Sequence, residues 1–418
     1  MVGKRRSLGL YLPMDVLILA TTSAVWSIGG SMANPFQSIF FKAIGTPIFY
    51  ISVLAALSSI AAAVANVVGG YIADTWGRKR LIVVFGFVAA ANQLIYMFLG
   101  SHWQLLFIPV LIGSLSGMYS PALNAMLNDS MEQKLRPIGF ASYTIISSIP
   151  SIFSPYIGGI LAQDFGAAAG IRLAFFIAGI LGLLAISVRA TKLVETYPAK
   201  TGKRPGVRKF VREVIHKNVD ALRMSSNTTK NLLLYTMMSS IATGLSTVYV
   251  SIYLIDVLRI NPVQYGLLTG LSAAATIFLL IPAVRIIRKA GLKKAAIISA
   301  LFSPVSMLVF VSANGMNDLV AWSVTGGVSG AMLSPTIQSL QGNTTPREQR
   351  GRIMGMFAII PLLVTVPAQI ASGYLYANVS HEATFAFAIP FYIIAVLILW
   401  RVRYYEDGFM PQPRVVKA

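Results

Sequence analysis

The chain has 418 residues, of which 56% are hydrophobic and 11% charged, with no cysteine and a net charge of +20. Soluble domains carry about 25% charged residues, so this composition excludes an ordinary soluble globular protein. The three histidines, His102, His216 and His381, are far apart and have no cysteine beside them. We therefore predict neither a zinc nor an iron–sulfur site.

Apolar segments of about 20 residues, the length that crosses about 30 Å of hydrocarbon as a helix, recur along the chain. The hydropathy pattern predicts twelve spans, at residues 14–42, 48–74, 81–100, 104–129, 138–163, 171–191, 231–255, 263–287, 294–314, 319–342, 353–377 and 384–403. The first is longer than the apolar region of a signal peptide and is followed by further spans, so we predict that it is not cleaved. The pattern indicates an all-α polytopic membrane protein.

The basic residues fall mostly on one side of these predicted spans. If the N-terminus is cytoplasmic, the outer side keeps only Lys42, Arg172 and Arg259. This asymmetry follows the positive-inside rule and predicts a multi-pass protein of the cell membrane with both termini in the cytoplasm. The positive charge then attracts anionic lipid headgroups, and a nucleic-acid partner is not expected.

The sequence repeats itself with an offset of 214 residues. Gly77 matches Gly291, Ser120-Pro121 matches Ser334-Pro335, and Arg136 matches Arg350. Because six spans separate the copies, both run the same way through the membrane. We predict an N-terminal half at 1–190, a cytoplasmic linker at 191–230 and a C-terminal half at 231–418. Apolar residues at helical spacing in the linker indicate an amphipathic helix on the lipid surface, with a regulatory docking site as the alternative.

A short charged loop lies between the second and third spans and contains Gly70, Ala73, Asp74, Gly77, Arg78 and Lys79. In order and spacing, these residues resemble the loop between the second and third helices of the major facilitator superfamily. The resemblance implies two six-helix bundles around a central cavity and transport by alternating access.

An acid in this loop can pair with the adjacent cations and with the positive N-terminal end of a neighbouring helix. By resemblance, that neighbour of Asp74 is the eleventh span, which follows Arg350. Such a contact would latch the cytoplasmic side shut, although the basic residues could also serve only to fix topology. The second copy has Arg288 and Leu292 at the places of Asp74 and Arg78, so we expect a one-sided latch. The gating set predicted here is Gly70, Asp74, Gly77, Arg78, Lys79, Arg136 and Arg350, together with the residues of the next motif.

The fifth span contains Ser154-Pro155-Tyr156-Ile157-Gly158-Gly159. It resembles the Gly-Pro-x-x-Gly-Gly element of drug–proton antiporters in the superfamily, with Ser154 replacing the first glycine. Pro155, Gly158 and Gly159 would let the helix bend and pack closely against a neighbour, and plain helix packing is the alternative interpretation. The resemblance favours export of organic solutes.

Charged residues are scarce inside the predicted spans. Leu105 to Leu127 in the fourth span carries no charge, and Asp15, Asp129 and Asp256 lie at span ends. A carboxylate at the centre of the cavity, the usual sign of proton coupling, is therefore not predicted. Protons stay a candidate coupling ion.

Neutral polar and aromatic residues recur on the spans that line the cavity in such a fold. Each one alone is explained by an interhelical hydrogen bond or an interfacial aromatic ring, whereas the set predicts a pocket for neutral or amphiphilic organic molecules. The candidate binding residues are Trp26, Asn34, Gln37, Tyr119, Asn124, Tyr143, Tyr249, Thr276, Gln338 and Gln369.

The phosphate-binding loop Gly-x-x-x-x-Gly-Lys-Ser/Thr does not occur in the sequence, so ATP hydrolysis is not predicted. We expect a monomeric secondary transporter that is not an enzyme, has no cofactor and exports amphiphilic or drug-like solutes. An uptake carrier for a neutral nutrient such as a sugar, and a receptor that transports nothing, stay open as alternatives.

Overall fold

The computed structural model describes residues 13–106, 108–132, 136–196, 225–345 and 350–402 of the chain. The side chains of Gly70, Asp74, Arg136, Arg288 and Arg350 are outside the described set, as is most of the predicted linker. No β-strand occurs in the described ranges, which consist of helices joined by short turns.

Twelve helical spans run through these described ranges, close to the segments predicted from hydropathy. Span one is Met14–Ala33, continued by Asn34–Phe36 and Gln37–Ala43. Spans two, three and four are Ile48–Trp76, Arg78–Ile95 and Ile108–Ser130. Span five consists of Arg136–Ser148 and Pro150–Asp164, and span six is Ala167–Lys192. Span seven consists of Asn227–Ser246, Val250–Ile252 and Tyr253–Val257. Spans eight to twelve are, in order, Pro262–Ala290, Leu292–Val311, Met316–Thr344, Arg350–Asn378 and Ala383–Arg401.

Ten helices in the described part of the chain are long and apolar enough to cross a membrane. Spans four and ten, which are 23 and 29 residues long, contain a larger share of glycine, serine and amide residues than the other spans.

Proline and the local backbone explain where the spans break. Pro35 coincides with a 3₁₀ turn in span one, and Pro150 begins the second segment of span five, because proline has no N–H to donate within a helix. Span seven is interrupted after Ser246 and includes a π-helical turn at Tyr253–Val257. Gly77 and Gly291, a matched pair in the sequence repeat, both have φ above 80° and begin spans three and nine.

Helix packing follows the sequence repeat. Span one packs against spans five and six, span two against span four, and span three against spans four and six. The same pairings recur six spans later, where span seven meets spans eleven and twelve, span eight meets span ten, and span nine meets spans ten and twelve. Two bundles of six helices result, and they meet mainly through spans two and eleven and through spans five and eight.

The buried apolar clusters show how the bundles are joined. The largest contains residues of both bundles, among them Phe36, Phe40, Phe175, Tyr249 and Phe385. Two further clusters lie at the opposite end, and each belongs to a single bundle. The bundles therefore share a core at the end where span one turns into span two, which we call the closed end. We call the opposite end, where span two turns into span three, the open end.

Candidate functional site

Polar contacts join the two bundles at the closed end. Ser38 Oγ donates to the Val248 carbonyl oxygen at 2.9 Å, and Lys42 forms an ion pair with Asp256. The Tyr249 hydroxyl donates to the Ile48 carbonyl oxygen at 2.7 Å. Among the described residues, each hydrogen bond or ion pair that joins the two bundles involves residues in the half of the span nearer the closed end. This end is therefore sealed by side chains.

Small residues bring spans five and eight together beside this seal. A Cβ atom added at Gly159 would lie 2.5 Å from the Pro262 carbonyl oxygen, and one at Gly266 would overlap the carbonyl group of Pro155. Gly158 packs instead against the Met32 carbonyl of span one, within the same bundle. The predicted Pro155, Gly158 and Gly159 element thus makes one contact within a bundle and one between bundles, where only glycine fits.

A cavity of about 390 Å³ lies between the bundles below the seal. Three predicted binding residues, Asn34, Gln37 and Gln369, line it. Gln37 donates to the Tyr96 hydroxyl at 2.8 Å, and Gln369 Oε1 accepts from Ser59 Oγ at 3.0 Å. The remaining polar side chains of the lining are Ser38, Ser58, Ser59, Thr247, Ser251 and Tyr265, with no charged residue among them.

A second, smaller cavity of about 240 Å³ lies inside the C-terminal bundle. Ser303, Ser306 and Ser329 line it together with aromatic side chains, among them Trp322. Thr247, at the interruption of span seven, lines both cavities. The two spaces are therefore neighbours at a point where the helix backbone is irregular.

Four other predicted residues lie outside the central cavity. Asn124 and Gln338, a matched pair in the repeat, are exposed on spans four and ten, and Gln338 donates to Ser334 of its own helix at 3.1 Å. Thr276 donates to the Gly327 carbonyl oxygen at 3.2 Å and so joins spans eight and ten. Tyr249 belongs to the closed-end seal, where it stacks on Tyr376 with ring centroids 4.3 Å apart.

The last three predicted residues are linked to a buried arginine, Tyr119 directly, Trp26 through Tyr119 and Tyr143 through Ser23. Trp26 and Tyr119 stack with centroids 6.4 Å apart, and the Tyr143 hydroxyl lies 3.0 Å from Ser23 Oγ. The guanidinium of Arg189 lies 5.6 Å from the Tyr119 ring centroid. Sequence reasoning missed Arg189 because it precedes a basic segment. Its position within the apolar stretch of span six was the available signal.

The charged loop after span two is held by residues distant in sequence. Glu195 accepts from the backbone N–H groups of Arg78 and Lys79, at 2.9 and 3.0 Å, and caps span three. The Arg78 side chain donates to the Ala125 carbonyl oxygen at 2.8 Å and pairs with Asp129. Gly77 supplies the positive φ of the turn. The predicted pairing of Asp74 with Arg78, and the predicted roles of Gly70, Arg136 and Arg350, concern side chains outside the described set.

The structure consists of two related bundles of apolar helices with a neutral polar cavity between them, and the cavity is sealed at one end. This arrangement defines a membrane transport protein that carries small solutes. The sequence profile of the Major Facilitator Superfamily matches residues 19–229 and 232–414, and the chain belongs to that family. It is a multi-pass membrane transporter and not an enzyme.

Relatives cover different shares of the chain. The MFS-type transporter YqjV of Bacillus subtilis is 29% identical over 158 residues, which is 34% of this chain and 36% of YqjV. The quinolone resistance protein NorA of Staphylococcus aureus is 23% identical over 376 residues, 89% of this chain and 92% of NorA. A Na⁺, Li⁺, K⁺/H⁺ antiporter of Planococcus maritimus is 30% identical over 159 residues, 37% of each chain.

The fold is similar to that of solved transporters. A point mutant of the nucleoside transporter NupG superposes with a TM-score of 0.74 over 93% of this chain and 99% of NupG, at 14% identity. This level of identity shows a shared fold and nothing about the solute.

Proposed function

We propose that the protein exports amphiphilic organic solutes across the cell membrane by alternating access. The observation that carries this proposal is the neutral cavity between two bundles that are joined at one end. A solute would enter from the open end, and release would require the closed-end seal to break while the open end closes. Spans two and eleven, with spans five and eight, would act as the pivot because they form the main contacts between the bundles.

The chemistry of the cavity supports an organic solute. Its volume of about 390 Å³ lies in the range of small-molecule sites, about 300–1,000 Å³. Amide and hydroxyl groups can orient a polar group, and Phe41, Ile51 and Leu54 offer an apolar surface. Among the described residues that line the cavity there is no carboxylate, which a binding site for an inorganic cation would use.

The direction of transport rests on charge and on likeness to relatives. The basic loops favour the cytoplasm for the open end and for both termini, and they would contact anionic lipid headgroups. NorA is named for quinolone resistance, and the likeness extends over 89% of this chain, which supports export of drug-like compounds. We propose a monomer, with protons as the candidate coupling ion.

Uptake of a neutral nutrient such as a sugar is the second candidate. It is favoured by the same neutral lining, since amide groups such as Gln37 and Gln369 can bind sugar hydroxyl groups. The two candidates differ in the solute and in the direction of net flux.

The test is flux in proteoliposomes of known orientation. Because the chain has no cysteine, a single Ala43→Cys substitution at the exposed end of span one lets an impermeant maleimide report which end faces outward. We expect a fluorescent amphiphile to move from the open-end side to the closed-end side and to saturate, with labelled glucose left behind. Saturable glucose flux without amphiphile flux would replace this proposal by the second candidate. Absence of flux for both would reject both candidate functions.

A further inference from the structure

Arg189 is a buried cation that no acid neutralises in the described part of the chain. Its side chain has 0% exposure, although it lies in a membrane span. Nε donates to Thr22 Oγ1 at 2.8 Å and Nη2 to Ser23 Oγ at 2.7 Å, with a longer contact from Nη2 to the Leu19 carbonyl oxygen at 3.5 Å. All three acceptors are neutral, and among the described residues no ion pair includes Arg189.

One nitrogen of this guanidinium has no hydrogen-bond partner. Nη1 is buried and unpaired, whereas Nε and Nη2 are held by span one. A guanidinium has five N–H donors in a fixed fork and binds a carboxylate through two parallel hydrogen bonds. The protein therefore positions the arginine firmly while leaving part of its donor capacity and its whole charge unused.

The surroundings of Arg189 suit an aromatic solute. Trp26, Tyr119 and Tyr143 are half-buried, so the cluster is not sealed from its surroundings. Two of these rings, Trp26 and Tyr119, stack nearly parallel, with an interplanar angle of 17°. Ser120 and Asn124, which follow Tyr119 on span four, are exposed and lead from the cluster toward the open end.

We propose that Arg189, Trp26, Tyr119 and Tyr143 form an anion subsite for an organic carboxylate with an aromatic body. Arg189 itself has no exposed surface, so the half-buried rings of Trp26 and Tyr119 move aside when the solute binds. The carboxylate then binds the guanidinium through Nη1, and the aromatic body of the solute packs against these two rings. The subsite lies in the N-terminal bundle near the open end, separate from the neutral cavity. This inference rests on the proposed function, because it specifies which amphiphiles enter: those with an anionic head.

The test uses three probes of one shape in purified, detergent-solubilised protein: naphthalene carboxylate, naphthalene carboxamide and naphthalene methylammonium. Ligand-induced shifts of the melting temperature give the relative affinities, since a ligand that binds only the folded protein stabilises it. We expect the carboxylate to bind about tenfold more tightly than the amide, the difference that a charge-assisted hydrogen bond provides. We expect the ammonium probe to be the weakest of the three.

Substitutions separate a binding role from a packing role. Arg189→Met should abolish the preference for the carboxylate probe, and Arg189→Lys should keep part of it because the charge remains. Arg172→Met is the matched control: Arg172, also on span six but near the closed end, donates to the Leu99 carbonyl oxygen and lies over the Phe40 ring. That variant should keep the full preference.

If Arg189→Met fails to fold, Trp26→Leu tests the same site, because it removes the stacking surface and leaves the arginine in place. It should weaken all three aromatic probes. An unchanged carboxylate preference in Arg189→Met, or equal binding of carboxylate and amide to the intact protein, would overturn the proposal. Because these readouts measure binding, absence of a carboxylate preference in the intact protein beside normal amphiphile flux would reject the subsite alone. Carboxylate preference without any flux would reject the export function alone.

Discussion

Ser59 on span two donates a hydrogen bond of 3.0 Å to Gln369 on span eleven, and this bond joins the two bundles at the wall of the central cavity. It lies about three helical turns beyond Ile48, whose carbonyl oxygen takes part in the closed-end seal. Gln369 is buried, with 9% exposure. The same amide therefore lines the solute cavity and holds the bundles together, which gives a direct route from solute contact to the opening of the seal.

Replacing Gln369 by leucine should make the closed end open more readily. Hydrogen bonds between membrane helices contribute about 0.6 kcal/mol on average, so the equilibrium should shift roughly threefold. The measurement is the reactivity of a cysteine at Ser251, in the cavity wall, toward an impermeant maleimide added from the Lys42 side. Gln338→Leu is the control, because Gln338 is exposed and bonds only within its own helix. Equal reactivity in both variants would contradict the coupling.

Gly266→Ala should weaken the contact between spans eight and five. Its Cβ would meet the Pro155 carbonyl, and overpacking of this kind costs about 1–3 kcal/mol. We expect transport to fall at least about fivefold and the Ser251→Cys reactivity to rise, with little change in melting temperature. Gly158→Ala places the same methyl group against Met32 inside one bundle and should instead lower the melting temperature. The idea fails if both variants lower the melting temperature equally and neither exposes the cavity.

The Lys42–Asp256 ion pair should make a small, salt-sensitive contribution to the seal. Both side chains are partly exposed, at 43% and 37%, and such pairs contribute about 0.2–1 kcal/mol. Lys42→Asp should reduce transport by up to about fivefold at low salt, and adding Asp256→Lys should restore it. Flux measured at low and high ionic strength tests this prediction, because salt screens the interaction between the two exposed charges. No restoration in the double variant would show that the pair does not hold the seal.

The positions of the twelve spans could be predicted from the sequence because the length and hydropathy of each follow from the thickness of the bilayer. The repeat of 214 residues also placed Gly77 and Gly291 at equivalent turns, where both have positive φ. The interruption of span seven after Ser246 could not be predicted in this way. The helix before the interruption, Asn227–Ser246, contains no proline that would mark it. Tyr249, next to the interruption, contacts the other bundle.

The candidate site was predicted in part. Three of the candidate binding residues, Asn34, Gln37 and Gln369, line the central cavity, and their role in binding a solute stays a prediction. Arg189 and Glu195 were missed because each depends on contacts far away in sequence, with Thr22 in one case and with the start of span three in the other. Hydropathy places Arg189 inside the predicted sixth span and Glu195 in the predicted linker, and it contains no information about those contacts.

The predicted latch at Asp74 can be tested by Asp74→Asn, which keeps the shape and removes the charge. Arg78 is held by Ala125 and Asp129, so the loop should stay folded in this variant. A charge near a helix end is worth up to about 2 kcal/mol, enough to shift the equilibrium about five- to thirtyfold toward an open cytoplasmic side. Cysteines at the cytoplasmic ends of spans two and eleven should become more reactive, and transport should fall.

Arg288→Ala, at the matching place in the second bundle, is the control for the latch and should have a much smaller effect. Unchanged cysteine reactivity in Asp74→Asn, or an effect of the same size from Arg288→Ala, would show that the latch does not depend on this acid.

The most direct test of transport by alternating access is a disulfide across the closed end. Ser38 Oγ lies 2.9 Å from the Val248 carbonyl oxygen, so Ser38→Cys and Val248→Cys should cross-link in this otherwise cysteine-free chain. The single variants Ser38→Cys and Val248→Cys, neither of which can form this disulfide within one chain, control for oxidation without a cross-link. We predict that oxidation stops amphiphile flux in the Ser38–Val248 double variant and that a reductant restores it. Full flux with the closed end covalently locked would contradict the account.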